Sequence, residues 1–372
     1  MQARTLQRRV HEQNLFIMHG RPRVKDRLKD PEKVKAAEKK ALLLGELCKR
    51  VLEARKCRDY SEKNLSMSAK LLEMNPEMYT VWNYRREYLE PIVKEGGDSA
   101  LEAVQEELKL TEKALMRNPK SYATFNHRRW IVSTGFCSLE HEIFLVEKLL
   151  DADERNFHGW AYRRHIVARM GLPISRELEY SRRKIEQNFS NYSAWHHRST
   201  ILPLIVEGKG SEQEAIAHFS SSTSSSISLN VLAEEFAFVR QALYTDPLDQ
   251  SGWFYHRWLL SCLGSQYADA AVSSHIERDD ILSMLQNELQ MCHEVHSLDP
   301  KAKWPVLTSM QIQMAIDKHT GGSTDAESVD IEKQRAQDIQ WLSGVDPMRQ
   351  FFYEDLAKGK ADPWSSLTES IQ

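Results

Sequence analysis

An all-α fold, a right-handed α-α solenoid bent into a crescent, is what this sequence predicts, on three observations. An aromatic–arginine motif recurs along the chain, its anchors return at intervals near 35 residues, and glycine and proline are scarce, 15 and 12 in 372 residues. A period near 35 is the length of one helix–turn–helix unit. Low glycine and proline disfavour a loop-rich or many-stranded β fold.

The copies are read in order. They are Asn75 to Arg86 around Trp82 and Arg85, Asn118 to Arg129 around Phe125 and Arg128, and Asp153 to Arg164 around Trp160 and Arg163. Asn188 to Arg198 follows around Trp195, and Asp246 to Arg257 around Trp253. Asp299 to Trp304 reads as a degenerate sixth. The anchors at 82, 125, 160, 195, 253 and 304 are spaced 43, 35, 35, 58 and 51 apart, so the longer intervals carry insertions. One is visible at about 207–230, with Gly208, Gly210 and the serine run from Ser220 to Ser226, a flexible surface loop by composition.

Each motif opens a helix. Asn or Asp supplies a capping acceptor, and Pro76, Pro119 and Pro247 suit a helix entry. Tyr79, Trp82 and Arg86 are spaced i, i+3, i+7, which predicts one helical face. The segments ahead also carry helical periodicity, as in Leu65, Ala69 and Leu72, or Leu145, Lys148 and Leu149. Each unit is therefore two antiparallel helices with the motif opening the second. A lone pair cannot bury its apolar face, so neighbouring pairs stack into a solenoid whose long concave surface suits wrapping a partner. The solenoid is expected over residues 31–345, between a flexible tail at 1–30 and a C-terminal tail at 346–372.

Composition narrows the function. A net charge of -3 gives no general drive towards nucleic acid or an anionic membrane. No apolar run approaches the roughly 20 residues needed to span a bilayer, so no membrane insertion is expected. Five cysteines without a CxxC pair read as reduced thiols, and Met1 to Val10 lacks the apolar stretch of a secretory signal, so the cytoplasm is the expected compartment. Cys292, His293 and His296 lack further ligands at zinc-like spacing, so no metal is expected in this chain. No phosphate-loop, dinucleotide or nucleophile-elbow motif occurs.

The anchors Trp82, Phe125, Trp160, Trp195 and Trp253 read as packing residues. Arg85, Arg128, Arg163, Arg198 and Arg257 have two uses open. They tie one helix pair to the next through carboxylates and carbonyls, or they face a partner or ligand, since a buried guanidinium needs a counter-charge.

The repeated pattern resembles the protein prenyltransferase α-subunit repeat, Asn-Tyr-x-x-Trp-x-x-Arg in its usual form. Five copies run from about Tyr60 to Leu260, with a weaker continuation to Asp346. The stretches Asn156 to Arg164, Asn191 to Arg198 and Trp253 to Trp258 are similar to the Rab geranylgeranyltransferase subunit, as are Met18 to Arg21 and Asp346 to Arg349.

The resemblance implies a heterodimer that transfers geranylgeranyl from its diphosphate to C-terminal cysteines of Rab GTPases, presented by an escort protein. The β subunit is then expected to hold the zinc and the geranylgeranyl diphosphate, with no cofactor bound by this chain alone. Alternatives are the α subunit shared by farnesyltransferase and type I geranylgeranyltransferase, or a helical-repeat scaffold without catalysis. A leaving diphosphate gathers negative charge, and cations and helix N-termini stabilise it. The candidates are Arg155, Asn156, Phe157 and His158 in the third unit and Asn191 and Tyr192 in the fourth. The same residues also suit plain capping and contact with the β subunit. Farnesyltransferase relatives carry lysine where Arg155 stands. His19 reads either as a tail ligand reaching the partner's zinc or as a solvated residue.

Overall fold

The motif turns decide where the helices begin. Asn75, Asn118, Asp153, Asn188, Asp246 and Asp299 each end one helix and start a short turn, and the next helix opens four residues later. Residues 31–206, 227–270, 275–320 and 325–358 of this computed structural model are described, and every statement below concerns them. Among them there is no strand. The predicted tail at 1–30, with His19, lies outside the described residues, as do 207–226 of the predicted insert. Of that insert's remainder, Ile227 is buried and Leu229 already opens a helix.

The chain divides into two units, Met1–Ser138 and Leu139–Gln372. In the first, α1 (Pro31–Lys56) precedes the pair α2 (Glu62–Met74) and α3 (Tyr79–Glu95), then the pair α4 (Gly97–Arg117) and α5 (Tyr122–Ser133). Its core gathers Leu71, Leu72, Val81, Trp82, Tyr84 and Ala114. The second unit starts with the pairs α6 (Leu139–Ala152) with α7 (Phe157–Met170), and α8 (Ile174–Gln187) with α9 (Tyr192–Ile201). After the short α10 (Pro203–Val206) come α11 (Leu229–Thr245) with α12 (Gln250–Ala270), and α13 (His275–Leu298) with α14 (Lys303–Thr320). α15 (Asp325–Val345) and α16 (Gln350–Ala357) end it. The two helices of each pair pack against each other, and motif helices also touch motif helices, as in α9 on α12 and α12 on α14.

The anchors are packing residues. Trp82, Trp160, Trp195 and Trp253 are fully buried, and each indole N–H donates back to a carbonyl of its own turn. The acceptors are Pro76 at 2.9 Å, Glu154 at 2.8 Å, Phe189 at 2.8 Å and Pro247 at 3.0 Å. An indole thereby fills the core and closes the turn that starts its helix. Tyr79 and Arg86 do not share that burial: both are exposed while Trp82 is not. The i, i+3, i+7 set thus spans the boundary between the buried and solvent faces of α3.

Four of the motif arginines sit where their pairs meet. Arg85 grips Glu107 of the next pair at 2.5–3.0 Å and also donates to the Leu65 carbonyl and Ser68 hydroxyl of its own, both at 2.9 Å. Arg198 repeats this with Glu235 at 2.5 and 2.7 Å, the Leu178 carbonyl and Ser181. Arg163 holds Glu177 at 2.6 and 2.8 Å and lies 3.4 Å over the Tyr180 ring. Arg128 donates to the Leu108 carbonyl and Thr111. Glutamates of the pair-opening helices also take a bond from their own motif helix. His127 bonds Glu107, Tyr162 bonds Glu142, His197 bonds Glu177 and Tyr255 bonds Glu235, always 20 residues on. The same rings stack on the preceding anchor: His127 on Trp82 at 4.5 Å, His197 on Trp160 at 4.8 Å, Tyr255 on Trp195 at 4.8 Å.

Three expectations on register need correction. In the fifth copy the arginine station, three residues after the anchor, is held by His256, which bonds Glu288 at 2.8 Å beside Arg240. Arg257 stands one residue later, in the place of Arg86, Arg129 and Arg164. It is buried, and desolvation, with Arg349 nearby, holds it down at about 10. In the sixth copy α14 opens at Lys303, so the anchor station is Val306 and Trp304 stands two residues ahead of it. Trp304 packs on Phe254 at 5.5 Å, with Lys303 and Arg349 on its ring. The predicted tail at 346–372 begins instead as a further motif turn. Asp346 to Arg349 repeats the Asp-Pro turn, α16 follows, and Tyr353 fills the anchor station fully buried. Asp346 accepts from Lys303, Arg349 and Tyr353 at 2.5, 2.9 and 3.2 Å.

Candidate functional site at the motif-helix openings

A helix start leaves backbone N–H groups unpaired and a partial positive charge. At α7 the Asn156 side chain accepts from the N–H groups of His158 at 3.1 Å and Gly159 at 3.2 Å. At α9 the Asn191 side chain accepts from Ala194 at 3.1 Å. Both asparagines are fully buried and both are neutral, so they satisfy donors without cancelling the positive end. No acidic residue lies in the first turn of α3, α5, α7, α9, α12 or α14. The pair-opening helices differ, with Glu62, Asp98, Glu140 and Glu177 at the starts of α2, α4, α6 and α8. In these four pairs the first turn of the opening helix carries negative charge and that of the motif helix does not, whereas α11 has no acidic first turn either.

The first residue of α3, α5, α7 and α9 is an exposed aromatic, whereas α12 and α14 open with Gln250 and Lys303. In the first unit these are Tyr79 and Tyr122, 47% and 57% exposed, and in the second Phe157 and Tyr192, 53% and 47% exposed. Large rings left in water at one repeated station need a covering surface. Tyr192 stacks flat on His196 at 6.2 Å and meets Phe254 edge-on at 6.0 Å. Burial, with Arg164 near, holds His196 below the usual histidine range. His158 is itself buried, its ring 3.9 Å from that of Phe157.

Arg155 lies one residue ahead of the α7 cap and is exposed. Its Nη2 donates to the Ser190 carbonyl in the next turn at 3.2 Å, and no carboxylate pairs with it among the described residues. Asp153 accepts from its backbone N–H, and Asn188 donates to Glu154, so the two turns are laced together around the guanidinium. Of the six candidates in these two units, Arg155, Phe157 and Tyr192 reach solvent; Asn156, His158 and Asn191 stand behind them. Sequence reasoning missed Ser190, Asn188 and Ser251, whose parts in this lacing leave no composition signal.

Among the described residues no group of three or more histidine, cysteine and acidic side chains is arranged to hold a metal. Cys48, Cys57, Cys137, Cys262 and Cys292 are thiols, none of them in a disulfide. No described helix is long and apolar enough to cross a membrane.

Comparison with known proteins places this architecture. The family described as protein prenyltransferase alpha subunit repeat matches residues 61–90, 104–135, 139–170, 174–205 and 232–263. The geranylgeranyl transferase type-2 subunit alpha of Dictyostelium discoideum is 35% identical over 334 residues, 89% of this chain and 93% of that one. Its Schizosaccharomyces pombe namesake is 36% identical over 302 residues, 77% and 83% of the two chains. The solved structure of Candida albicans protein geranylgeranyltransferase-I complexed with GGPP shares the fold. Its TM-score is 0.58 at 20% identity, covering 84% of this chain and 88% of that one. Repeats, register and near full-length likeness agree: the chain belongs to the protein prenyltransferase α-subunit family, in its geranylgeranyl transferase type-2 branch.

Proposed function

We propose that this chain is the α subunit of a cytoplasmic Rab geranylgeranyltransferase, paired with a β subunit that binds zinc and geranylgeranyl diphosphate. Rab GTPases presented by an escort protein are the acceptors. The observation that carries the reading is near full-length kinship with type-2 α subunits, joined to an exposed aromatic at the first station of α7 and again of α9. These two rings fit a β-subunit contact, because rings left in water gain most by being covered.

In the reaction a cysteine thiolate attacks the first carbon of the prenyl chain. The carbon–oxygen bond breaks and its electron pair leaves on diphosphate. Zinc, when bound by the β subunit, lowers the thiol's proton affinity. The contribution of this chain is electrostatic. Arg155 and the positive ends of α7 and α9 stand ready before charge develops, which is how a fixed donor lowers a barrier without reorganising. Asn156 and Asn191 fix the two openings, and His158 supports Phe157 from behind. Arginine in place of lysine offers several donors in a plane, suited to two phosphate oxygens at once.

Co-expression with a β subunit, followed by prenyl transfer, tests this. Transfer to a Rab only when escort protein is present is expected, and transfer to short C-a-a-X acceptors instead would overturn it. Arg155→Ala is expected to lower kcat about tenfold or more with unchanged heterodimer affinity. Equal loss of both reassigns Arg155 to the interface.

A further inference from the structure

We propose that Ser251 is a positioning residue for Arg155, acting through the main-chain carbonyl of Ser190. This rests on the diphosphate-side reading of Arg155 given above.

The Ser190 carbonyl lies in the turn between α8 and α9 and accepts from two neighbours. Arg155 Nη2 reaches it at 3.2 Å from the preceding turn, and Ser251 Oγ reaches it at 3.2 Å from the following motif helix. A carbonyl oxygen has two lone pairs, so both bonds form together. Ser251 is buried, and its own N–H is held by the Asp249 side chain at 2.7 Å, which anchors the backbone from which the hydroxyl reaches. The Ser190 N–H is held by the Asn188 side chain at 3.0 Å, and Asn188 in turn donates to Glu154, the residue before Arg155. Three successive turns thus fix one carbonyl from both sides, and an exposed arginine hangs on it. In the first unit the turns are joined by other stations: Asn118 donates at 3.3 Å to Glu77, which stands where Arg155 does, and Ser121 donates to the Pro76 carbonyl at 3.3 Å.

The physical case is one of mobility. A long exposed arginine samples many rotamers, and each must be given up when it meets an anion. A tether through one N–H settles much of that beforehand and leaves the other donors of the guanidinium for the ligand. Ser251 keeps the tether's carbonyl aimed. Without the hydroxyl the Ser190 peptide is free to tilt and Arg155 loses its set position.

The test is a double-mutant cycle on the heterodimer, read as kcat and KM in single-acceptor geranylgeranyl transfer. Ser251→Ala should lower kcat about three- to tenfold, the worth of one hydrogen bond, with acceptor KM and heterodimer affinity unchanged. Ser251→Thr, which keeps the hydroxyl, should recover most of it. In an Arg155→Ala background, Ser251→Ala should cost nothing further. A full further loss in that background, failure of threonine to rescue, or wild-type kcat in Ser251→Ala each overturns the proposal. If Arg155→Ala itself keeps wild-type kcat, the diphosphate-side reading falls as well, which separates the two failures.

Discussion

Replacing Glu177 with glutamine tests how neighbouring repeats are held together. Glu177 is buried and takes three hydrogen bonds, from Arg163 Nε at 2.8 Å, Arg163 Nη2 at 2.6 Å and His197 Nε2 at 3.1 Å. Burial pushes its carboxyl up, but the His197 bond and Arg163 outweigh this and hold it at about 2. Glutamine keeps the volume, removes the charge and turns an NH₂ towards groups that only donate. Breaking a buried pair by losing one partner costs about 3–5 kcal/mol. Glu147 remains on Arg163 at 3.0 Å but is 40% exposed, so a cost near the lower bound, about 3 kcal/mol, is expected. Urea unfolding followed by tryptophan fluorescence reads it, because Trp160 stacks on His197 at this junction. Glu186→Gln, in an exposed pair with Arg182, should change stability by under about 0.5 kcal/mol. A Glu177→Gln change below about 1 kcal/mol would refute the claim that this ion pair joins the repeats.

Trp160→Ala should cost about 3–5 kcal/mol and Trp160→Phe, which chiefly loses the bond to the Glu154 carbonyl, about 1–2 kcal/mol; equal costs in urea unfolding would show that the indole N–H is idle. Stability should fall on acidification. Burial chiefly holds His197 down to about 4, below its unfolded value of 6.5, so its contribution is complete above about 6.5 and is lost as pH falls towards 4. The loss is up to about 3 kcal/mol, absent in His197→Gln, and a midpoint that rises between pH 7 and 5 would contradict the sign. Tyr192→Ala should weaken β-subunit binding about tenfold or more in a titration while leaving the chain's own urea midpoint nearly unchanged; unaltered binding removes Tyr192 from that interface.

The repeat was legible because its anchors are rare residues at fixed stations: tryptophan followed by arginine is easy to see recurring. Register was legible only while the spacing held. The fifth copy places histidine at the arginine station, and the sixth places tryptophan where the helix opens, so reading by residue type slipped by one and by two positions. The turn, Asp-Pro plus two, marks register better, and by that rule Tyr353 was readable as an anchor. The partners of the arginines were missed because glutamates are common on helix surfaces. Their signal is relational: a glutamate 20 residues ahead of a histidine or tyrosine, at 107 and 127, 177 and 197, 235 and 255. At the candidate site, capping by Asn156 and Asn191 followed from residue type, whereas the exposure of Phe157 and Tyr192 depends on packing that spacing alone does not specify.

At three junctions the buried glutamate that an arginine grips lies ahead of it in the chain. Arg163 waits 14 residues for Glu177, Arg85 waits 22 for Glu107, and Arg198 waits 37 for Glu235. During synthesis, then, each of these arginines leaves the ribosome before its forward glutamate does. A chain that stops between these positions leaves the guanidinium without its buried carboxylate, a costly loss. The grip therefore makes chain length something the folded state itself inspects, junction by junction.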